Sequence, residues 1–411
     1  MIATKELLEK YARLAVETGI NLQPGQKVII NAELSCAEFA RLCAKAAYEA
    51  GAAGVEMDWT DEESARLRYL NSTEEYLTTI PQWYVDKADY QDDQDFAYLY
   101  IDSDDPDAFA GVPAERIAMA QTARRKAIKR HGDNVSCNRI SWSIVALPTE
   151  KWAKKVFPGC TAEEAMDKLY DAIFKAVRLY EEDPVKAWED HLANLQKRAG
   201  WLNEQNFDAL HITSGLGTDL MVGLAKDHLW GLGGEERSNG LHQPFVANMP
   251  TEEVFTTPHN KNINGVVKSS MPLNYNGQMI EGMSFTFENG RVVDFDATVG
   301  KDVLQHLLDT DEGARSLGEV ALVPCKSPIY ESGIFFYNTL FDENASCHLA
   351  LGSCYPTCIK NGADKTREEV DALGGNDSAI HVDFMFGTDD LTVTGIKDGK
   401  EIPVFVKGNW A

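Results

Sequence analysis

The stretch PGQKVIINAELSCAEFARLCAKAAYEAGAAGVEMDW, residues 24–59, decides the first half of the fold. After a Pro-Gly turn, GQKVIINA (25–32) reads as a strand. Ser35 stands where a helix N-cap is expected, ahead of an alanine-rich segment that ends at a glycine. GVEMDW follows as the next strand, so strand, helix and strand succeed one another as in a βαβ unit of a parallel sheet. FAYLYID (96–102) and RISWSIVAL (139–147) supply further strands, with a helix expected around 113–131 between them. A helix-rich stretch then runs over roughly 161–199.

From about Asn206 the texture changes. SFTFENGRVVDFDA (284–297) carries Asn-Gly between alternating strands, and VTGIKDGKEIPVFV (393–406) carries Asp-Gly in the same role. Both are strong hairpin signals, because those dipeptides tolerate the positive φ of a two-residue turn. The expectation is therefore α/β: an N-terminal α/β domain, residues 1–205, with a largely parallel sheet. A mixed, mostly antiparallel α+β domain, residues 206–411, should follow it and carry the chemistry.

At 411 residues the chain has room for two domains and a large core. Its net charge of -25 makes nucleic acid or an anionic membrane surface a poor partner. The acidic runs QDDQD (91–95) and DSDDPD (102–107) read as solvated surface, since neither has the glycine and distal glutamate of a calcium loop. The opening MIATKELLEKYARLAVETG is a charged amphipathic helix, unlike a signal peptide, and no apolar run reaches the length of a membrane span. The eight scattered cysteines accordingly read as cytoplasmic thiols. Cys347, Cys354 and Cys358 cluster, but the CxxC pairs that would specify a zinc–thiolate site are missing. Asn71, Asn344 and Asn376 head Asn-x-Ser/Thr matches that mean nothing without secretion. TSGLGTDL (213–220) lacks the third glycine of a nucleotide-binding turn. His242 and His259 fall in polar loops and are expected at the surface.

The chemistry gathers between Glu319 and Asp383. LFDENASCHLALGSCY (340–355) holds Glu343 and His348, and SAIHVDFMFG (378–387) holds His381 and Asp383. Carboxylates and imidazoles on short apolar strands are the hard oxygen and borderline nitrogen donors that divalent metals take. Strand alternation puts His381 and Asp383 on one face, with Val382 and Phe384 on the other. In NMPTEEVFTTPHN (248–260), Glu252 and Glu253 point to opposite faces, and one should turn inward. Each residue has an ordinary reading as well: an exposed glutamate pair, a solvated charge at a strand start for Glu319, a core histidine for His348, a packing tyrosine for Tyr355.

Taken in order, NMPTEEVFTTP, LGEVALVP, LFDENASCHLALGSCYP and IHVDFMFGTDDLTVTG resemble the thermophilic-type metallo-aminopeptidases, the family of aminopeptidase T, aminopeptidase S and PepS. The similarity runs nearly end to end and includes PGQKVIINA, AYEAGA and WSIVALPTEKWAKKVFP in the first half. It implies a two-metal aminopeptidase that removes N-terminal residues from short peptides. It selects Glu253 over Glu252 as a ligand, makes Glu319 a ligand shared by both ions, and adds Glu343, His348, His381 and Asp383. Tyr355 becomes an active-site tyrosine, placed to donate to a tetrahedral oxyanion. The resemblance also implies two divalent ions per chain (zinc, cobalt or manganese), about 3.5–4 Å apart, and a homodimer. Another dinuclear metallohydrolase, such as an amidase, is a competing reading. A metal-dependent peptide-binding protein without turnover is a second one. A phosphate substrate is disfavoured, because no arginine or lysine cluster accompanies the ligand motifs.

Overall fold

The structure, a computed structural model, describes residues 2–103, 105–238, 243–275 and 277–411. The chain forms two compact units, one of residues 1–191 and 234–250, the other of residues 192–233 and 251–411. The first boundary falls inside the helix Pro184–Gln205.

The first unit is built on a five-stranded sheet in the order Asn248–Met249, Trp142–Ala146, Ala97–Asp102, Lys27–Glu33, Gly54–Thr60. Every pairing in it is parallel, as the βαβ reading expects. Val28, Ile29 and Ile30 are buried because parallel strands are covered on both faces. The crossover helix Ala37–Glu49 buries Phe39, Ala40, Cys43, Ala46 and Ala47, one stripe at helical spacing. Ser35 does not cap this helix. A 3₁₀ turn, Leu34–Cys36, precedes it and moves the N-cap to Cys36, which makes no side-chain capping bond. The helix expected around 113–131 is two helices, Ala114–Ala127 and Lys129–Ser136.

The acidic run at 91–95 is not all solvated surface. Asp92 is buried and accepts hydrogen bonds from Tyr98 Oη (3.0 Å) and Asn134 Nδ2 (2.8 Å), with His131 Nδ1 2.9 Å away. Asp104 of the second run and His242 lie outside the described residues.

Among the described residues the second unit holds two large antiparallel sheets and a two-stranded one, Leu273–Tyr275 with Gln278–Ile280. One large sheet has eight strands, in the order Arg291–Asp296, Ser284–Glu288, Pro258–Lys268, Asp219–Leu224, Ala209–Thr213, Thr392–Lys397, Lys400–Val406, Asn409–Trp410. Both expected hairpins lie in it, and their turn residues take the positive φ that the dipeptides allow: 49° and 86° at Asn289-Gly290, 49° and 72° at Asp398-Gly399. The other sheet has five strands, in the order His381–Met385, His348–Gly352, Leu317–Leu322, Val254–Thr256, Gly231–Leu232. It carries the candidate site. All eight cysteines are free thiols, and no described helix is long and apolar enough to cross a membrane.

Candidate metal centre

Register explains how one sheet serves two purposes. Glu319, Ala350 and Asp383 lie opposite one another across three strands, and so do Ala321, His348 and Met385. His381 pairs with Gly352, and Phe255 with Ala321. With a side-chain period of two, Glu319, His348, His381 and Asp383 therefore share one face. The alternate residues Val254, Val320, Leu322, Leu349, Leu351 and Phe384 point the other way and join the main core of this unit, with Val382 packed against it. Between the acids the donor-bearing face carries Ala321, Ala350 and Gly352, all small. A bulge at Gly318 shifts the register between Leu317 and Glu319. Any Cβ there would sit 2.2 Å from the carbonyl oxygen of Ser353, so the re-aimed strand requires glycine.

The two remaining acids come from outside the ladders. Glu253 immediately precedes the strand Val254–Thr256, and Glu343 opens the 3₁₀ turn Glu343–Ala345. Glu252 and Glu253 are both buried, so the exposed pair expected from the sequence is not what forms. Glu319 is likewise buried within a strand of six buried residues, not solvated at its mouth.

Donor atoms gather in two groups that share one residue: Glu253, Glu319 and His348, and Glu319, His381 and Asp383. Within each group they lie within 4.8 Å of one another. Glu253 Oε2 is 2.9 Å from His348 Nε2, and Glu319 Oε2 is 3.0 Å from His381 Nε2. Asp383 Oδ1 stands 3.7 Å from His381 Nε2. Both imidazoles are oriented from behind. His348 Nδ1 donates to the carbonyls of Glu343 (3.0 Å) and Ser346 (3.1 Å), and His381 Nδ1 donates to Ser353 (2.7 Å). A carbonyl only accepts, so each Nδ1 carries a proton and each Nε2 faces the carboxylates, as in metal-ligating histidines.

Burial and crowding make this arrangement costly without cations. Glu253 Oε2 and Asp383 Oδ1 are buried with no aligned hydrogen-bond donor, although His348 Nε2 lies near the first. Burial raises the Glu319 carboxyl, as do the Asp383 and Glu253 charges, against the opposing pull of His381. Burial, then the charges of Asp383 and Glu253, push Glu343 well above the usual carboxylate range. At His348 burial disfavours the charge, but the carboxylates of Glu253, Asp383 and Glu319 together outweigh it and hold the imidazolium well above the ordinary histidine range. At His381 burial is again outweighed, by Asp383 and Glu319, which bring it to about 9. The cluster thus holds protons where a dication would otherwise sit, and its orphaned oxygens and mixed oxygen–nitrogen donors fit divalent metal.

Tyr355 packs beside the group, its ring centroid 4.7 Å from that of His381 and 5.7 Å from that of Phe255. Burial and four surrounding carboxylates, Glu319 first, keep its phenol protonated. Side-chain exposure is 22% at His381 and 12% at Asp383, against 5% at Glu319 and 2% at His348, so the centre opens on the His381–Asp383 side.

Glu343 is buried against the cluster but belongs to neither three-residue group. No cysteine joins a three-donor group among the described residues. Cys347 bonds the backbone of Val323 and lies in the core, which accounts for its position without a metal. His259, half-buried, accepts from the Lys261 amide and takes no part. Sequence reading passed over Asn344 except as the head of an Asn-x-Ser match, yet it is fully buried between Glu252 and Glu343. Its residue type alone carries no signal of that placement.

The chain is similar to known proteins over its whole length. The model of the thermophilic metalloprotease family (M29) matches residues 4–410. Aminopeptidase 2 of Geobacillus stearothermophilus is 45% identical over 405 residues, covering 98% of this chain and 97% of that protein. Aminopeptidase AmpS of Bacillus subtilis is 45% identical over 412 residues, covering 100% of both. The solved structure of wild-type AmpT from Thermus thermophilus superposes with a TM-score of 0.91 at 40% identity, over 100% of both chains.

Proposed function

The chain belongs to the thermophilic metalloprotease family M29, and from that premise we propose that it is a two-metal aminopeptidase acting on the N-termini of short peptides. The observation that carries this reading is the pair of donor groups sharing Glu319. Glu253, Glu319 and His348 would hold one ion, and Glu319, His381 and Asp383 the other. Two divalent ions would balance the four carboxylates of Glu253, Glu319, Glu343 and Asp383.

When bound, such ions supply Lewis acidity to a water, to the scissile carbonyl and to the substrate's free α-amine. The protein's own groups do the rest. Glu343, outside both groups yet within reach of their charges, is the carboxylate left to take the water's proton and pass it to the leaving amine. Tyr355, kept protonated by burial and by its acidic neighbours, donates to the oxyanion as the carbonyl carbon becomes tetrahedral. The buried rim at Glu253 and His348 closes one side, so a peptide enters past His381 and Asp383.

Hydrolysis of aminoacyl-p-nitroanilides tests the reading. Turnover should vanish on chelation, return with zinc, cobalt or manganese, and fail on substrates whose α-amine is acetylated. A folded, metal-loaded protein that hydrolyses none of them would favour a peptide-binding role. Equal turnover of acetylated substrates would favour an amidase.

A further inference from the structure

Four of the six acids and imidazoles in the centre sit on strands, and the hydrogen-bond ladder holds them. Glu253 and Glu343 do not, so something else must fix their backbones. His348 reaches both from the sheet, and Asn344, 0% exposed, ties both segments from outside it. Its Oδ1 accepts from the Glu252 N–H at 2.7 Å, one residue ahead of Glu253. Its Nδ2 donates to the Leu340 carbonyl at 2.9 Å and lies 3.4 Å from Glu343 Oε1. A backbone N–H only donates and a backbone carbonyl only accepts, so the amide has one orientation that satisfies both.

We propose that Asn344 is a positioning residue that locks the two off-sheet acids, Glu253 and Glu343, into register with one another and thereby sets the metal affinity of the centre. This rests on the metal reading above. The amide acts through the acids it holds and touches no substrate. Loss of the Oδ1 acceptor frees the segment 251–253, and loss of the Nδ2 donor frees the Glu343 carboxylate to turn away. Outer contacts of this kind commonly set metal affinity by about 10–100-fold.

The test is a cobalt(II) titration of the full chain after metal removal, read by the d–d absorption of the ion and by affinity. Asn344→Leu keeps the volume and removes both polar contacts. Asn344→Ser also removes the amide's two contacts, with a shorter polar side chain, and keeps the test open if the leucine variant does not fold. Asn203→Leu is the control: its amide clamps the Trp230 backbone in a similar manner (2.8 and 3.2 Å) away from the acids. The expected result is cobalt affinity lowered about 10–100-fold in the Asn344 variants, with an altered absorption envelope, and wild-type values in the control. A folded Asn344 variant with wild-type affinity and spectrum overturns the proposal, and so does an equal loss in Asn203→Leu. Absence of cobalt binding in the wild-type chain would overturn the metal reading itself, a distinct failure.

Discussion

Glu319 Oε2 and His381 Nε2 stand 3.0 Å apart although their strands are not neighbours; the strand His348–Gly352 runs between them. They meet because the residue opposite Glu319 on that central strand is Ala350, and the one opposite His381 is Gly352. Neither side chain is long enough to separate them.

Enlarging Ala350 should therefore act as a wedge. Ala350→Val is expected to cost about 1–3 kcal/mol of stability from overpacking and to weaken metal binding by at least about tenfold. Chemical denaturation and a chelator-competition titration measure the two effects separately. Metal affinity unchanged beside lost stability would contradict the geometry.

Glu319 is common to both donor groups, whereas His348 and His381 each belong to one. Glu319→Gln should release both ions and reduce turnover more than about 100-fold, beyond what outer contacts do. His348→Ala and His381→Ala should each release one ion, and metal analysis of the dialysed variants reads the difference. In the metal-free protein Glu319→Gln removes the cost of burying a carboxylate and its repulsion from Asp383 and Glu253, which together exceed the pull of His381, so its melting temperature should rise by roughly 2–4 °C per kcal/mol of relief. A fall would contradict the electrostatic account.

Protons and metal compete for the same groups. His381 in the metal-free fold titrates at about 9, above the ordinary histidine value of 6.5. Its proton therefore favours the metal-free fold fully below the unfolded value, and that contribution fades as the pH rises to about 9. Metal affinity has the opposite slope, increasing over the same window as the proton is lost. Titration calorimetry in buffers of different ionisation enthalpy should register proton release on metal binding at pH 7. Heats independent of the buffer would refute it.

Tyr355→Phe keeps the ring contacts with His381 and Phe255 and deletes the hydroxyl. The expected outcome is kcat reduced about 10²–10³-fold, with KM and bound metal close to wild type. A change in KM alone would assign the tyrosine to substrate binding instead.

Much of the fold was legible because its signals are local. The run 24–59 alternates strand and helix within one βαβ unit, and Asn289-Gly290 and Asp398-Gly399 mark hairpins by backbone chemistry alone. The shared face of His381 and Asp383 followed from the period of two. The burial of Glu253 and Glu319 did not, since a carboxylate beside Val-Phe or Val-Ala-Leu reads equally well as solvated until the covering strands are placed. Ser35 looked like a cap because the sequence does not separate a helix start from a 3₁₀ turn that delays it. Asn344 was illegible for a different reason. Its contacts with Glu252 and Glu343 join positions that are 92 residues and one residue away, and only the folded chain brings the first within reach.

The most direct measurement is the number of divalent ions bound per chain, by elemental mass spectrometry of cobalt-loaded, desalted protein. The account requires two ions per wild-type chain and none in Glu319→Gln. One ion per wild-type chain, or two retained by Glu319→Gln, would contradict a centre built around a shared glutamate.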